Sequence, residues 1–255
     1  MARHIILDPG QPALVTPGLC ALGIMTKVPQ AGRVKTRLTP PLAPEESAEL
    51  NKCFLRDLAQ SIIKAGAQSP GRGVGVYTPV GEESSYEELL PADFFLIPQR
   101  GQDFGDRLVF AAEDLFKVGF ASVCLINSDS PTVSGSIFAE AANELVRPGD
   151  RIVLGPSDDG GYYLIGMKRL HRRAFAGIDW STEHVFEQTM ERASEIGVEV
   201  HLLPSGFDVD DRATLQRICR ELLGGAIPLE VAPFTREFLA GIVEREGRDR
   251  IWPTR

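Results

Sequence analysis

Residues 152–166 read IVLGPSDDGGYYLIG. An apolar, strand-like run ends in Gly155-Pro156, passes the adjacent carboxylates Asp158 and Asp159 and the pair Gly160-Gly161, and re-enters an apolar, aromatic run at Tyr162. Neighbouring glycines allow backbone angles that side chains forbid, and they let a ligand lie against the main chain. Neighbouring aspartates repel each other, which costs stability unless a cation, a hydroxyl or water compensates. Taken alone, the stretch is also a hairpin turn rich in Asp and Gly. The sequence on either side has to decide.

Outward from it, short β-rich runs alternate with helical patterns. Strands are expected over 19–25, 73–77, 94–97, 122–126, 152–154, 162–167 and 198–203. Helices are expected over 45–65, where Leu50, Phe54, Leu58 and Ile62 recur at helical spacing, and over 103–118, 134–146, 182–196, 212–223 and 235–246. This alternation predicts an α/β fold, a mostly parallel central sheet with helices on both faces. The 160–163 region is placed to add an antiparallel element. In open sheets of this kind ligands bind beyond the carboxyl ends of the strands, which selects the loops to inspect. The glycine run Gly71-Arg-Gly-Val-Gly75 precedes a strand instead of following one, and it reads as an ordinary turn.

The chain has 255 residues, 43% of them apolar, and no linker or low-complexity tract splits it. One large domain over 19–223 is expected, with an extension at 1–18 and a helical tail at 224–255. A net charge of −8 argues against a nucleic-acid partner, since phosphate contacts along a polymer need a basic face. Cys20, Cys53, Cys124 and Cys219 are scattered without metal-ligand spacing, and Cys20 and Cys124 read as small core residues. Residues 1–18 carry Arg3, Asp8 and three prolines and no continuous apolar core of a signal peptide. No run approaches a membrane span. A cytoplasmic protein is the expectation.

The first strand empties into a basic loop in which Lys27, Arg33, Lys35 and Arg37 stand with no acid from Thr26 to Pro44. Such a patch suits a polyphosphate, with Arg offering a fork and Lys a point charge. It is a poor match to a Walker loop, because Val34 precedes Lys35. The strand at 122–126 runs into Asn127-Ser-Asp129, where a carboxylate at the strand end suits Mg²⁺ or Mn²⁺ or, equally, a helix start. Asp208, Asp210 and Asp211 crowd four positions; Asp211 is the natural cap of the following helix, which leaves the other two to complete a cation site with Asp129. Gln102 and Asp106 follow another strand, where they could read a base or ribose or merely lead into a helix. Trp180 offers an aromatic plane beside Thr182, itself a plausible helix cap.

In this order the blocks Lys-x-Pro-x-x-Gly-x-x-Lys-Thr-Arg-Leu (27–38), Ser-Asp-Ser-Pro (128–131), Gly-Pro-x-x-Asp-Gly-Gly-Tyr-Tyr-Leu (155–164), Trp-Ser-Thr (180–182) and Asp-Val-Asp (208–210) resemble the CofC-like, GT-A-fold transferases associated with radical-SAM and selenium-domain genes. The likeness covers about residues 19–223. It implies a nucleotide-diphospho-sugar transferase fold related to phospholactate and molybdenum-cofactor guanylyltransferases. It implies metal ligation by Asp129 and Asp210, with Asp208 beside them. Lys27, Gly32, Arg33, Lys35, Thr36 and Arg37 match a phosphate-binding loop, and Asp159, Gly160 and Gly161 the block facing acceptor or sugar. Where relatives often carry Gly-x-Asp or Asp-x-Asp, Asn127-Ser-Asp129 supplies a single acid.

The expected function is therefore a divalent-metal-dependent transferase using a nucleotide-activated donor and a small-molecule acceptor, with Lys35 and Asp159 in catalytic roles. Glycosyl transfer from a nucleotide-diphospho-sugar leads. Nucleotidyl transfer from a nucleoside triphosphate is the rival, and a nucleotide-binding module without catalysis is the third reading.

Overall fold

Alternate side chains of the apolar run after Leu19 face opposite ways: Cys20, Leu22 and Ile24 enter one hydrophobic cluster, Ala21 and Met25 another. A strand buried on both faces must be central, and that is its place in the computed structural model, which describes residues 4–11 and 15–253. The elements in chain order are β1 (Ile5–Ile6), β2 (Cys20–Lys27), α1 (Pro44–Gly66), β3 (Gly71–Thr78), β4 (Phe95–Pro98), α2 (Phe104–Lys117), β5 (Ser122–Ile126), α3 (Gly135–Val146), β6 (Arg151–Pro156), β7 (Tyr162–Met167), α4 (Val185–Glu195), β8 (Glu199–Leu202), α5 (Arg212–Leu223) and α6 (Pro233–Glu246).

Among the described residues, eight strands form one sheet in the order β1-β4-β3-β2-β5-β7-β6-β8. All neighbours are parallel except β7, which runs antiparallel to both β5 and β6. The expected mixed α/β sheet is thus present, with its antiparallel element where the Gly-Gly turn placed it. Reversal of β7 brings its first residue, Tyr162, to the same edge as the last residues of β5 and β6. The turn 157–161 therefore stands at the ligand edge.

Helices cover both faces. Leu55, Leu58 and Ile62 of α1 and Phe138 and Leu145 of α3 pack on one side; Leu108 and Leu115 of α2 and Ala193 of α4 pack on the other. Each buried Leu, Ile or Phe contributes about 1.5–3 kcal/mol. A third cluster joins Leu50 and Phe54 of α1 to α5 and α6, and includes Leu38, Phe207 and Val209 from two site loops. Both flanking segments pack onto this body, β1 as an edge strand beside β4 and α6 against α1 and α5.

One sequence expectation is corrected. The run Gly71 to Gly75, read as a turn although a strand was expected from 73, is not a turn but the first half of β3, paired to β2 along its length. A Cβ on Gly73 would sit 2.3 Å from the Phe94 ring, so the missing side chain makes room for that aromatic. Cys20 and Cys124 are fully buried with sulfurs 3.9 Å apart, as core residues. Among the described residues no helix is long and apolar enough to cross a membrane.

Candidate active site

At the carboxyl edge of the sheet lies a cavity of about 760 Å³, within the range of small-molecule sites. Its two ends differ in chemistry because different loops build them. After β2 the chain turns through Lys27 to Arg37, and Leu38, fully buried in the third cluster, nails that loop down. Lys27, Lys35, Thr36 and Arg37 line the cavity here. Lys35 adopts the left-handed conformation (φ 49°, ψ 37°), which costs a non-glycine residue about 1–2 kcal/mol and aims its side chain inward.

Asp129 follows β5 and Asp210 follows β8. A backbone hydrogen bond from the Val209 amide to the Asp129 carbonyl (2.9 Å) ties their loops together. In Phe207-Asp-Val-Asp210 the alternation is strand-like: Phe207 and Val209 are buried in the third cluster, while Asp208 and Asp210 line the cavity. The Lys35 ammonium lies between the two carboxylates, 2.6 Å from Asp129 Oδ1 and 2.7 Å from Asp210 Oδ1, with its side chain only 5% exposed. Burial works against its charge, but Asp129 and Asp210 outweigh that and hold it above the ordinary lysine range.

Two carboxylates converging on one cationic centre are what a protein commonly supplies to Mg²⁺, with phosphates and water completing the shell. The pair fits such an ion. Asp208 is not brought into the pair. Its Oδ1 accepts hydrogen bonds from Ser130 Oγ (2.6 Å), Asn127 Nδ2 (2.8 Å) and Ser157 Oγ (3.2 Å). Burial, reinforced by the charges of Asp129 and Asp159 against the hydrogen bonds of Ser130 and Asn127, pushes its carboxyl up to about 6. Among the described residues no cluster of three or more His, Cys, Asp or Glu side chains forms a metal cage.

The opposite end is aromatic and acidic. Trp180 packs edge-to-face on Phe104, ring centroids 5.3 Å apart, and Asp159, Glu183, Ser181 and Thr182 join them on the wall. Ser181 is left-handed (φ 65°). Thr182 holds the turn before α4, donating to the Asp179 carbonyl (2.7 Å) and accepting from the His184 amide (3.3 Å). Asp159 Oδ1 accepts the Gly161 amide (3.0 Å). Among the described residues, no lysine or arginine lines this end.

Of the residues singled out in the sequence, Lys27, Lys35, Thr36, Arg37, Asp129, Asp159, Gly161, Trp180, Thr182, Asp208 and Asp210 share this one cavity. Gly32, Arg33, Gln102, Asp106 and Gly160 do not line it. The Arg33 carbonyl accepts from Lys27 Nζ (3.4 Å), and Gln102 and Asp106 take part in the start of α2, where Asp103 caps the Asp106 amide (2.7 Å). Gly160 (φ 87°) is a joint: its carbonyl accepts the Phe186 amide (2.8 Å), and a Cβ would sit 2.2 Å from the Glu183 carbonyl oxygen. Sequence reasoning assigned no role to Asn127, Ser130 and Ser157, the partners of Asp208, nor to Phe104 and Glu183. Polar residues flanking a strand-end Asp were the available signal for the first two.

A model of the family described as "uncharacterized protein conserved in bacteria" (DUF2064) matches residues 62–182, which include Asp129 and Asp159 but neither the basic loop nor Asp210. No curated protein matches the sequence. Among solved structures, the chain is similar to a Desulfovibrio desulfuricans G20 protein named as a candidate nucleotide-diphospho-sugar transferase, at 27% identity over 90% of this chain and 96% of that one, with a TM-score of 0.79. It also shares its fold with a Methanothermobacter nucleotidyl transferase (14% identity, 82% and 99% covered, TM-score 0.54). A CMP:2-keto-3-deoxy-manno-octonic acid synthetase complexed with CTP is similar at 13% identity, 82% and 100% covered, TM-score 0.52. The chain has the nucleotide-diphospho-sugar transferase fold that its motifs imply.

Proposed function

We propose that this protein is a divalent-metal-dependent transferase that moves a glycosyl group from a nucleotide-diphospho-sugar to a hydroxyl-bearing acceptor. The observation that carries this reading is the one-sided distribution of charge in the cavity. Among the described residues, every lysine and arginine of its lining (Lys27, Lys35 and Arg37) comes from the stretch 27–37, at the end where Asp129 and Asp210 converge. That end suits a diphosphate, held by the cations and by a metal ion that Asp129 and Asp210 would ligate. A bound ion of this kind would supply charge neutralisation for the departing phosphate.

The other end has aromatic rings, hydroxyls and the carboxylates of Asp159 and Glu183. A phosphorylated nucleophile would meet negative charge there with no cation to balance it, so an uncharged hydroxyl compound suits it better. Asp159 is exposed in the cavity wall, where it can orient an acceptor hydroxyl or take its proton. Trp180 and Phe104 offer the ring of a sugar or acceptor a flat apolar surface.

Nucleotidyl transfer is the second reading, because three cations in one loop also suit a leaving pyrophosphate. The leaving group decides. Incubation with Mn²⁺ and a panel of nucleotide-sugars and nucleoside triphosphates is expected to release a nucleoside diphosphate from a nucleotide-sugar. Pyrophosphate from a triphosphate, with no turnover of any nucleotide-sugar, overturns glycosyl transfer in favour of the second reading. In the glycosyl case Asp159→Asn depresses turnover more than donor affinity, as an interaction felt mainly in the transition state does.

A further inference from the structure

We propose that the Lys35 ammonium is the resident cation of the metal-free site, so that a divalent ion enters between Asp129 and Asp210 only in company with a polyphosphate that draws Lys35 away. The inference rests on the reading of Asp129 and Asp210 as the metal carboxylates, and adds to it the form in which the metal is taken up.

The geometry is that of an occupied cation position. Nζ is bonded to one oxygen of each carboxylate, at 2.6 and 2.7 Å, and stands 5.6 Å from the centroid of the buried Phe54 ring. No other lysine or arginine among the described residues pairs with either carboxylate. An ammonium and a divalent ion cannot share this position, because like charges at such separation repel strongly away from bulk water. One must yield.

A free divalent ion offers Lys35 nothing in exchange: the ammonium, 5% exposed, would lose both counter-charges. A polyphosphate changes the balance. It can bind the metal on some oxygens and the ammonium on others, beside Thr36 and Arg37 of the same loop. Metal and polyphosphate therefore bind with positive coupling, and the ligand class of the site is the metal–polyphosphate complex rather than either part alone.

Equilibrium dialysis of Mn²⁺ against the full-length protein, with and without inorganic pyrophosphate, tests this. Wild-type protein is expected to hold Mn²⁺ weakly alone and more tightly with pyrophosphate. Lys35→Met keeps the side-chain length and the contact with Phe54 but removes the charge. It is expected to hold Mn²⁺ alone more tightly than wild type, by a factor in the roughly 5–150-fold range of coupled sites. Equal or weaker binding of Mn²⁺ by a folded Lys35→Met protein overturns the exchange. So does wild-type protein that binds Mn²⁺ as tightly alone as with pyrophosphate, a result that needs no variant. Asp129→Asn separates the two layers: if Mn²⁺ uptake with pyrophosphate survives this change, the metal assignment itself fails. If uptake is lost while Lys35→Met gains nothing, only the exchange fails.

Discussion

Asn127 stands where a second acid would have made the strand end more obviously a metal motif, and its amide instead donates to Asp208 at 2.8 Å. Asn127→Asp would set a like charge against a carboxylate that burial already raises to about 6. The change is expected to cost roughly 1–3 kcal/mol, because it replaces one of three donors to Asp208 by a like charge, read as a lower urea midpoint. A midpoint equal to wild type would remove Asn127 from the support of the site. At the cationic end, Arg37→Ala is expected to weaken binding of a nucleoside diphosphate by roughly 1.5–3 kcal/mol and of a nucleoside hardly at all, by titration calorimetry. Equal losses for both ligands would move the loop away from the phosphates. Residue identities told more than might be expected at this scale. Asp129, Asp210, Asp159 and Lys35, singled out as charges in loops at the ligand edge, line one cavity. Asp208 was legible only as an acid: its three hydrogen-bond donors, Asn127, Ser130 and Ser157, stand 51 to 81 residues away, and no local spacing reports them.

Among the elements, β3 shows where periodicity misleads. Glycines at 71, 73 and 75 carry no hydrophobic signal, so the run from 71 read as a turn even though a strand was expected from 73, where Gly73 and Gly75 alternate with the buried Val74 and Val76. The missing information is tertiary: the Phe94 ring and the Leu90 side chain fill the face the glycines leave open. Gly73→Ala is expected to destabilise the fold by about 1–3 kcal/mol, as overpacking does, with the urea midpoint as the measure. An unchanged midpoint would mean that the ring moves aside freely. The β7 reversal, by contrast, was legible from the Asp-Gly-Gly turn between two apolar runs. The Asp211 cap was too, since Asp211 accepts the Thr214 amide at 2.8 Å at the start of α5, whereas Thr182 holds only the turn before α4, whose N-cap position is His184.

For the whole molecule, the third hydrophobic cluster matters most, and it lay beyond sequence reasoning because residues 38, 54, 209 and 239 meet there. Arg250 reaches back from the C-terminal segment to Glu46, which also accepts the Ala43 amide (2.8 Å) at the start of α1. Burial opposes the Glu46 charge, but the Arg250 and Ala43 hydrogen bonds outweigh it and hold the carboxyl below its ordinary value of 4.5. A depressed carboxyl adds stability that is fully present above that value and is lost as pH falls through the lower, folded one. Glu46→Gln is thus expected to lower stability by roughly 1–2 kcal/mol near neutral pH, with the gap to wild type closing below about pH 4, by melting across a pH series. A gap that stays constant with pH would deny the pair its role. The same cluster bears on the order in which the molecule is made. Leu38 emerges early from the ribosome, and the α6 residues it shares a core with, Leu239 and Ile242, emerge some two hundred positions later. A nascent chain halted before α6 holds every cavity-lining residue yet lacks part of the floor beneath the basic loop. Nucleotide binding is expected to appear only near the end of synthesis, which keeps a half-built chain from sequestering nucleotide it cannot turn over.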